Sequence, residues 1–301
     1  MDDGGQVVYN VFHEAPLGAP IAVYFYMTGL SAGSFLISTM AYGLGMVKYK
    51  PVGKIGVVLA ILLLVLAPIN LIIDLGQPLR FWHLLFYLQP TSPITYGSFL
   101  LTIYPINCLI YGSFMFAGNA KMTRLFGLIG IPLALSVHGY TGFIMALGKA
   151  RALWNTALMP TYFLVSAMVS GIALMILVVI IQGLFFSPEH KINRELAFDF
   201  GRMLSMTILL DLFLVGSDVI LLLTADPEAR EAAEMLLSGA FSPYFLGIEI
   251  FLGALIPVIL LMSPFTKRRL VPVAIAAFLA MVGVMAMRYV LVIGGQALPL
   301  A

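Results

Sequence analysis

"GKIGVVLAILLLVLAPINLIIDLGQPLRFW", Gly53 to Trp82, changes character at a single residue. From Ile55 to Ile73 it carries no charge; at Asp74 the apolar run stops, and Arg80, Trp82 and His83 then follow within a few positions, framed by Gly76 and Pro78. A helix needs about 20 mostly apolar residues to cross about 30 Å of hydrocarbon. The run meets that length, and a barrel strand would instead alternate over about ten residues. It therefore reads as one membrane helix followed by a loop rich in groups that bind, pair and titrate.

Seven further runs of this kind flank it. The spans fall near 19–47, 53–73, 95–117, 125–148, 158–186, 199–224, 240–262 and 271–294. The 301-residue chain is 61% hydrophobic and 10% charged, with a mean hydropathy of +1.03, whereas a soluble domain is roughly a quarter charged. The fold class is thus an all-α integral membrane protein of eight transmembrane helices, expected as two four-helix bundles. It forms a single polytopic domain over 1–301, divisible into halves 1–150 and 151–301. "MDDGGQ" at the start lacks the basic region of a signal peptide, so no cleaved leader is expected.

Basic residues set the sidedness. Eleven of the 16 Lys and Arg lie in or beside the linkers after spans one, three, five and seven, and four lie in the other linkers. Cytoplasmic loops carry the Lys/Arg excess, so both termini and the Asp74–Pro93 loop should face outward. The acidic linker "TADPEAREAAEM" falls on the same side. His13, Asp74, Arg80, His83, His138 and Tyr140 then gather on or near the outer face.

That gathering suits a quinone, a flat ring with two carbonyl oxygens that needs Tyr or His donors, a proton route and an apolar slot for its tail. Tyr140 and His138 lie about where headgroup and tail would meet, and His13 approaches from above span one. Gly29, Gly33, Gly139 and Gly142 would allow close approach of helices or of a ring. The alternative for Tyr140 is a packing phenol near the interface. Arg80 and Trp82 read equally as interfacial anchors or as a ledge for a partner protein. Asp74 reads as a cap of the following turn or as a partner of Arg80.

Ionisable residues at membrane depth cost at least about 2.5 kcal/mol each by insertion scales and so need a partner, a proton or water. Asp211 and Asp218 share a face of span six, Glu249 lies in span seven and Arg288 in span eight. Together with His138 they form a candidate proton ladder; a buried Glu249–Arg288 ion pair is the alternative.

Cys108 is the one cysteine. A lone thiol excludes a Cys-ligated iron–sulfur cluster within the chain and a covalent c-type haem. His138 alone lies well inside a span, which argues against a di-haem cytochrome b. Any electrons must arrive through a partner. A proton-coupled transporter and a passive membrane anchor are the competing functions; nothing points to nucleic acid. A weak internal echo pairs "YFYMTGLSAG" from Tyr24 with "YFLVSAMVSG" from Tyr162, as a duplication of four helices would leave.

"DLGQPLRFWHLL" with "TSPITYGSF", "GLSAGSF" in span one, "HGYTG" in span four and the ending "RYVLVIGGQ" resemble the NrfD/PsrC family of membrane subunits of polysulfide, nitrite and related respiratory reductases. The markers run through the chain in order. The resemblance implies a quinone site (menaquinone or ubiquinone) at the outer face of a bacterial or archaeal cytoplasmic membrane. It implies a ferredoxin-like iron–sulfur partner subunit beside that site, relaying electrons to or from a molybdopterin catalytic subunit. It assigns Tyr140 to the quinone, His13 as the match for a histidine ahead of span one, and the deep acids to proton conduction. Gln77 departs from the pattern, standing where many members have Arg.

Overall fold

The computed structural model describes residues 17–186, 192–266 and 269–298. His13 lies outside them. Among the described residues, eight helices are long and apolar enough to cross a membrane: Ala19–Tyr42, Val47–Asp74, Pro93–Phe116, Ala120–Ala146, Met159–Phe186, Arg194–Thr224, Pro243–Met262 and Leu270–Gly294. They are called spans one to eight. Among the same residues there is no strand. The protein is an all-α integral membrane protein, as its hydropathy requires.

Span boundaries move where local chemistry overrides hydropathy. Span one stops at Tyr42, five residues before the expected end, because Gly43 and Leu44 both donate to the Thr39 carbonyl and Gly45 takes φ +77. Only glycine adopts that conformation cheaply, and it is how many helices terminate. The linker at "TADPEAREAAEM" contains a helix that hydropathy conceals, Pro227–Leu237. It opens with Pro at its first turn and buries Ala232, Ala233 and Leu236 while its acids face out. Charge spread over one face masks an amphipathic helix in a hydropathy count.

Spans one to four close into one ring and spans five to eight into a second, with spans one, four, five and eight at the seam. Two glycines set the seam's closeness. A Cβ on Gly33 would run into the Gly171 backbone, and a Cβ on Gly171 into that of Gly33. These are equivalent positions of the Tyr24 and Tyr162 echo, so the residues that match in sequence touch in space. Small residues let membrane helices pack this closely.

The "GLSAGSF" stretch is accounted for residue by residue. Gly29 leaves room for the His138 ring, Ser31 donates to the Ala60 carbonyl at 3.0 Å, and Gly33 meets Gly171. Phe35 then packs edge-on against Tyr104 and Tyr111.

Both ends of the bundle are tied. At one end Gln296 grips Leu17 twice, its Oε1 accepting from the Leu17 amide at 2.7 Å and its Nε2 donating to the Leu17 carbonyl at 3.0 Å. Trp154 donates to the Leu291 carbonyl at 2.7 Å, and its indole fills the space that a side chain on Gly295 would need. Leu17 and Gln296, near the two ends of the described residues, therefore meet on one face. At the other end Lys48 pairs with Asp199 and lies 3.8 Å from Glu195, while Tyr49 stacks on Phe200.

Candidate functional site

The site builds from span four. His138 is fully buried, seated against Gly29 of span one and beside Phe163 of span five. Arg288 of span eight is also fully buried, and its Nη2 lies 3.4 Å from His138 Nε2. Arginine offers donors only, so the tautomer in which Nε2 accepts from the guanidinium is the one that carries its proton on Nδ1. That Nδ1 has no hydrogen-bond partner. An unpartnered donor inside a protein asks for an acceptor.

Arg288 is held by uncharged groups. Nη2 donates to Ser166 Oγ at 2.6 Å and to the Phe163 carbonyl at 3.2 Å, and the guanidinium lies 3.7 Å over the Phe163 ring. No ion pair joins it to Glu249. Instead Glu249 Oε1 accepts from the Tyr162 hydroxyl at 2.8 Å. The buried pair weighed from sequence is thus replaced by two separate arrangements, each resting on span five.

Two residues on from His138, the ring of Tyr140 is half-buried and fills the space over Gly97 of span three, where a Cβ would overlap it. Gly97 belongs to "TSPITYGSF", which explains why a glycine stands in that motif. Tyr24 lies within electrostatic reach of Tyr140. Gly29 and Gly142 are close-approach positions, whereas Gly139 is not: a Cβ there meets only Leu164, at an ordinary 3.8 Å.

The Asp74–Pro93 loop divides in two. Asp74 neither caps its own following turn nor pairs with Arg80. Its Oδ2 accepts from the backbone amide of Gly18, 3.0 Å away, at the N-cap of span one. A carboxylate there satisfies an orphan amide and complements the helix dipole. Arg80 is exposed, and His83 stacks edge-on between Trp82 and Tyr87. Leu79, Phe81, Trp82, Phe86 and Tyr87 all present apolar surface. The far end of the ledge bonds span three beside Gly97, where the Tyr96 hydroxyl donates to the Pro90 carbonyl at 2.8 Å.

The deep acids cluster in the second ring. Asp211 and Glu249 line a void of about 10 Å³ between spans six, seven and eight. Asp218 lines a separate cleft of about 310 Å³ that also takes in Lys149 and Asp226. Oδ1 of both aspartates has no hydrogen-bond partner. Glu249 sits within a π-helical stretch, Pro243–Leu255, a geometry that recurs at functional positions. No group of three or more metal-ligating side chains occurs among the described residues. Sequence reading overlooked Tyr162, Phe163 and Ser166. The signal was present in the echo, since Tyr162 occupies in one half the place of Tyr24 in the other.

The sequence pattern of the family "Polysulphide reductase, NrfD" matches residues 7–300. The chain belongs to the NrfD family. Three relatives show its range. A selenate reductase subunit of Mesobacillus selenatarsenatis is 30% identical, over 94% of this chain and 74% of its own length. The Hdr-like menaquinol oxidoreductase integral membrane subunit of Archaeoglobus fulgidus is 29% identical, over 95% of this chain and 72% of its own. A polysulfide reductase polypeptide of Wolinella succinogenes is 28% identical, over 92% of this chain and 93% of its own. As an NrfD protein with eight spans, the chain is a multi-pass membrane subunit of an oxidoreductase complex.

Proposed function

We propose that this NrfD protein is the quinone-reactive subunit of a respiratory complex. It exchanges electrons between the membrane quinone pool and a ferredoxin-like iron–sulfur subunit at the outer face. That partner in turn serves a molybdopterin catalytic subunit. The observation that carries the reading is a half-buried phenol, Tyr140, seated over Gly97, on the same helix as a buried imidazole, His138, whose Nδ1 is unpartnered. A membrane redox ring with carbonyl acceptors fits the Tyr140 hydroxyl. The relative from Archaeoglobus fulgidus is named for menaquinol, which favours menaquinone here.

When bound, a quinone supplies two-electron, two-proton chemistry. The chain's own residues do the rest. Tyr140 would donate a hydrogen bond to a ring oxygen, while His138, on the opposite face of the same helix, would hold a proton behind it. Gly97 leaves the room that the Tyr140 ring occupies. Arg288 keeps His138 in one tautomer and orients it from behind. Glu249, Asp211 and Asp218 hold and pass protons. The Leu75–Ser92 ledge seats the iron–sulfur partner; exposed aromatic and Arg side chains are the usual anchors of such contacts. The deep acids favour this reading over a passive anchor, which has no use for them.

Tyr140→Phe in the intact complex tests it. Quinol-linked turnover should fall to background while the subunits still co-purify. Normal turnover in that variant removes Tyr140 from the mechanism.

A further inference from the structure

Asp218 stands apart from the groups around Tyr140. It is 9% exposed, and its Oδ1 has no hydrogen-bond partner. It forms the floor of the 310 Å³ cleft, which Lys149, Thr156, Asp226 and Glu228 also line. The cleft lies between the linker after span four, the end of span six and the start of the Pro227–Leu237 helix. It therefore opens on the face where Leu17 and Gln296 meet. Neither Tyr140 nor its neighbours Gly97 and Tyr24 line it.

Polar groups lead inward from it. Asp211 lies two turns deeper on the same helix face, about 10 Å along the axis. Its Oδ1 too is unpartnered. The void it lines with Glu249 is about 10 Å³, close to the least that holds a single water. The Tyr162 hydroxyl, bonded to Glu249 at 2.8 Å, is within electrostatic reach of both Asp211 and Asp218. Beyond Asp211 the same stripe of span six becomes Ile208, Leu204 and Phe200, each at most 1% exposed and packed in a large apolar cluster. Ser205, the nearest buried polar side chain of that helix, uses its hydroxyl on the Arg202 carbonyl at 2.9 Å. The polar steps thus begin at the cleft and end at Asp211.

We propose that this cleft is the proton port of the subunit: Glu249 and Asp211 exchange protons with the outer face through Asp218, and not with the cytoplasmic face. The proposal rests on the proton role assigned to these acids above and on the outward placement of the chain ends. A proton leaves the Glu249 carboxyl for the Asp211 or Asp218 carboxylate through a water, and Asp218 passes it to water in the cleft. No electron moves and no covalent bond other than O–H changes. Lys149, Asp226 and Glu228 are the charged groups that face Asp218 in the cleft and set the local field. Arg288, which contacts His138, is within electrostatic reach of Asp211 and Glu249 and so links the port to the helix that carries Tyr140.

Infrared spectroscopy of the intact complex in D2O tests the port without quinol turnover. The carboxyl band of Glu249 is identified by its loss in Glu249→Gln. Its hydrogen–deuterium exchange is then followed in Asp218→Asn, which should slow it severalfold. A second variant, Ala225→Cys, places a thiol on the cleft wall; Cys108 is fully buried and stays silent. Modifying that thiol in proteoliposomes with a charged, membrane-impermeant reagent should slow the exchange to the same degree. Unchanged exchange in both cases overturns the port, as does slowing only when a thiol on the Lys121 face is modified. Either outcome leaves the Tyr140 reading to be judged by quinol turnover alone.

Discussion

Arg288 and His138 meet at 3.4 Å inside the protein although 150 residues separate them in the chain. Their contact joins the helix that carries Tyr140 to the ring that holds the buried acids. In the tautomer that accepts from the guanidinium at Nε2, Nδ1 is the donor.

Replacing Arg288 should therefore affect both stability and chemistry. Arg288→Lys keeps the charge, but a compact ammonium cannot serve His138, Ser166 and the Phe163 carbonyl from one plane. Each hydrogen bond lost from a charged donor is worth about 1.5–3 kcal/mol. The purified complex should melt at a lower temperature and turn over quinol more slowly. Equal melting and equal turnover would show that the buried guanidinium orients nothing.

Two glycines near Tyr140 should behave oppositely. A methyl group at Gly97 has to displace the Tyr140 ring, whereas one at Gly139 meets only the end of Leu164. Overpacking of this kind costs about 1–3 kcal/mol. Gly97→Ala should approach the turnover defect of Tyr140→Phe, with Gly139→Ala close to wild type. Turnover assays on the two variants side by side check this; similar values would detach Tyr140's position from its function.

The exposed ledge makes a separate prediction. Arg80→Ala with Trp82→Ala should release the iron–sulfur subunit, because anchors of an interface each carry about 2 kcal/mol or more. Co-purification through a tag on this chain reads the result. The isolated membrane subunit should melt unchanged, since Arg80 is exposed and Trp82 is half out of the protein.

The eight spans were legible in the amino-acid order because lipid forces apolar length on every crossing helix. Tyr140, His138 and the deep acids stood out as candidates for a related reason: a titratable group at that depth is costly. What could not be read was pairing. Asp74 meets Gly18 from 56 positions away, and Tyr162 meets Glu249 from 87. A tyrosine in a span looks like packing until its partner is placed. The Pro227–Leu237 helix escaped because its exposed acids outweigh its few buried apolar residues in any hydropathy window.

The central claim is that a quinone ring sits between spans one, three and four beside Tyr140. Photoaffinity labelling of the intact complex with an azido-quinone, followed by peptide mapping, tests it most directly. Label should fall on peptides carrying Tyr24, Gly97 or Tyr140 and be competed away by unmodified quinone. Competable label confined to spans six and seven would contradict the account.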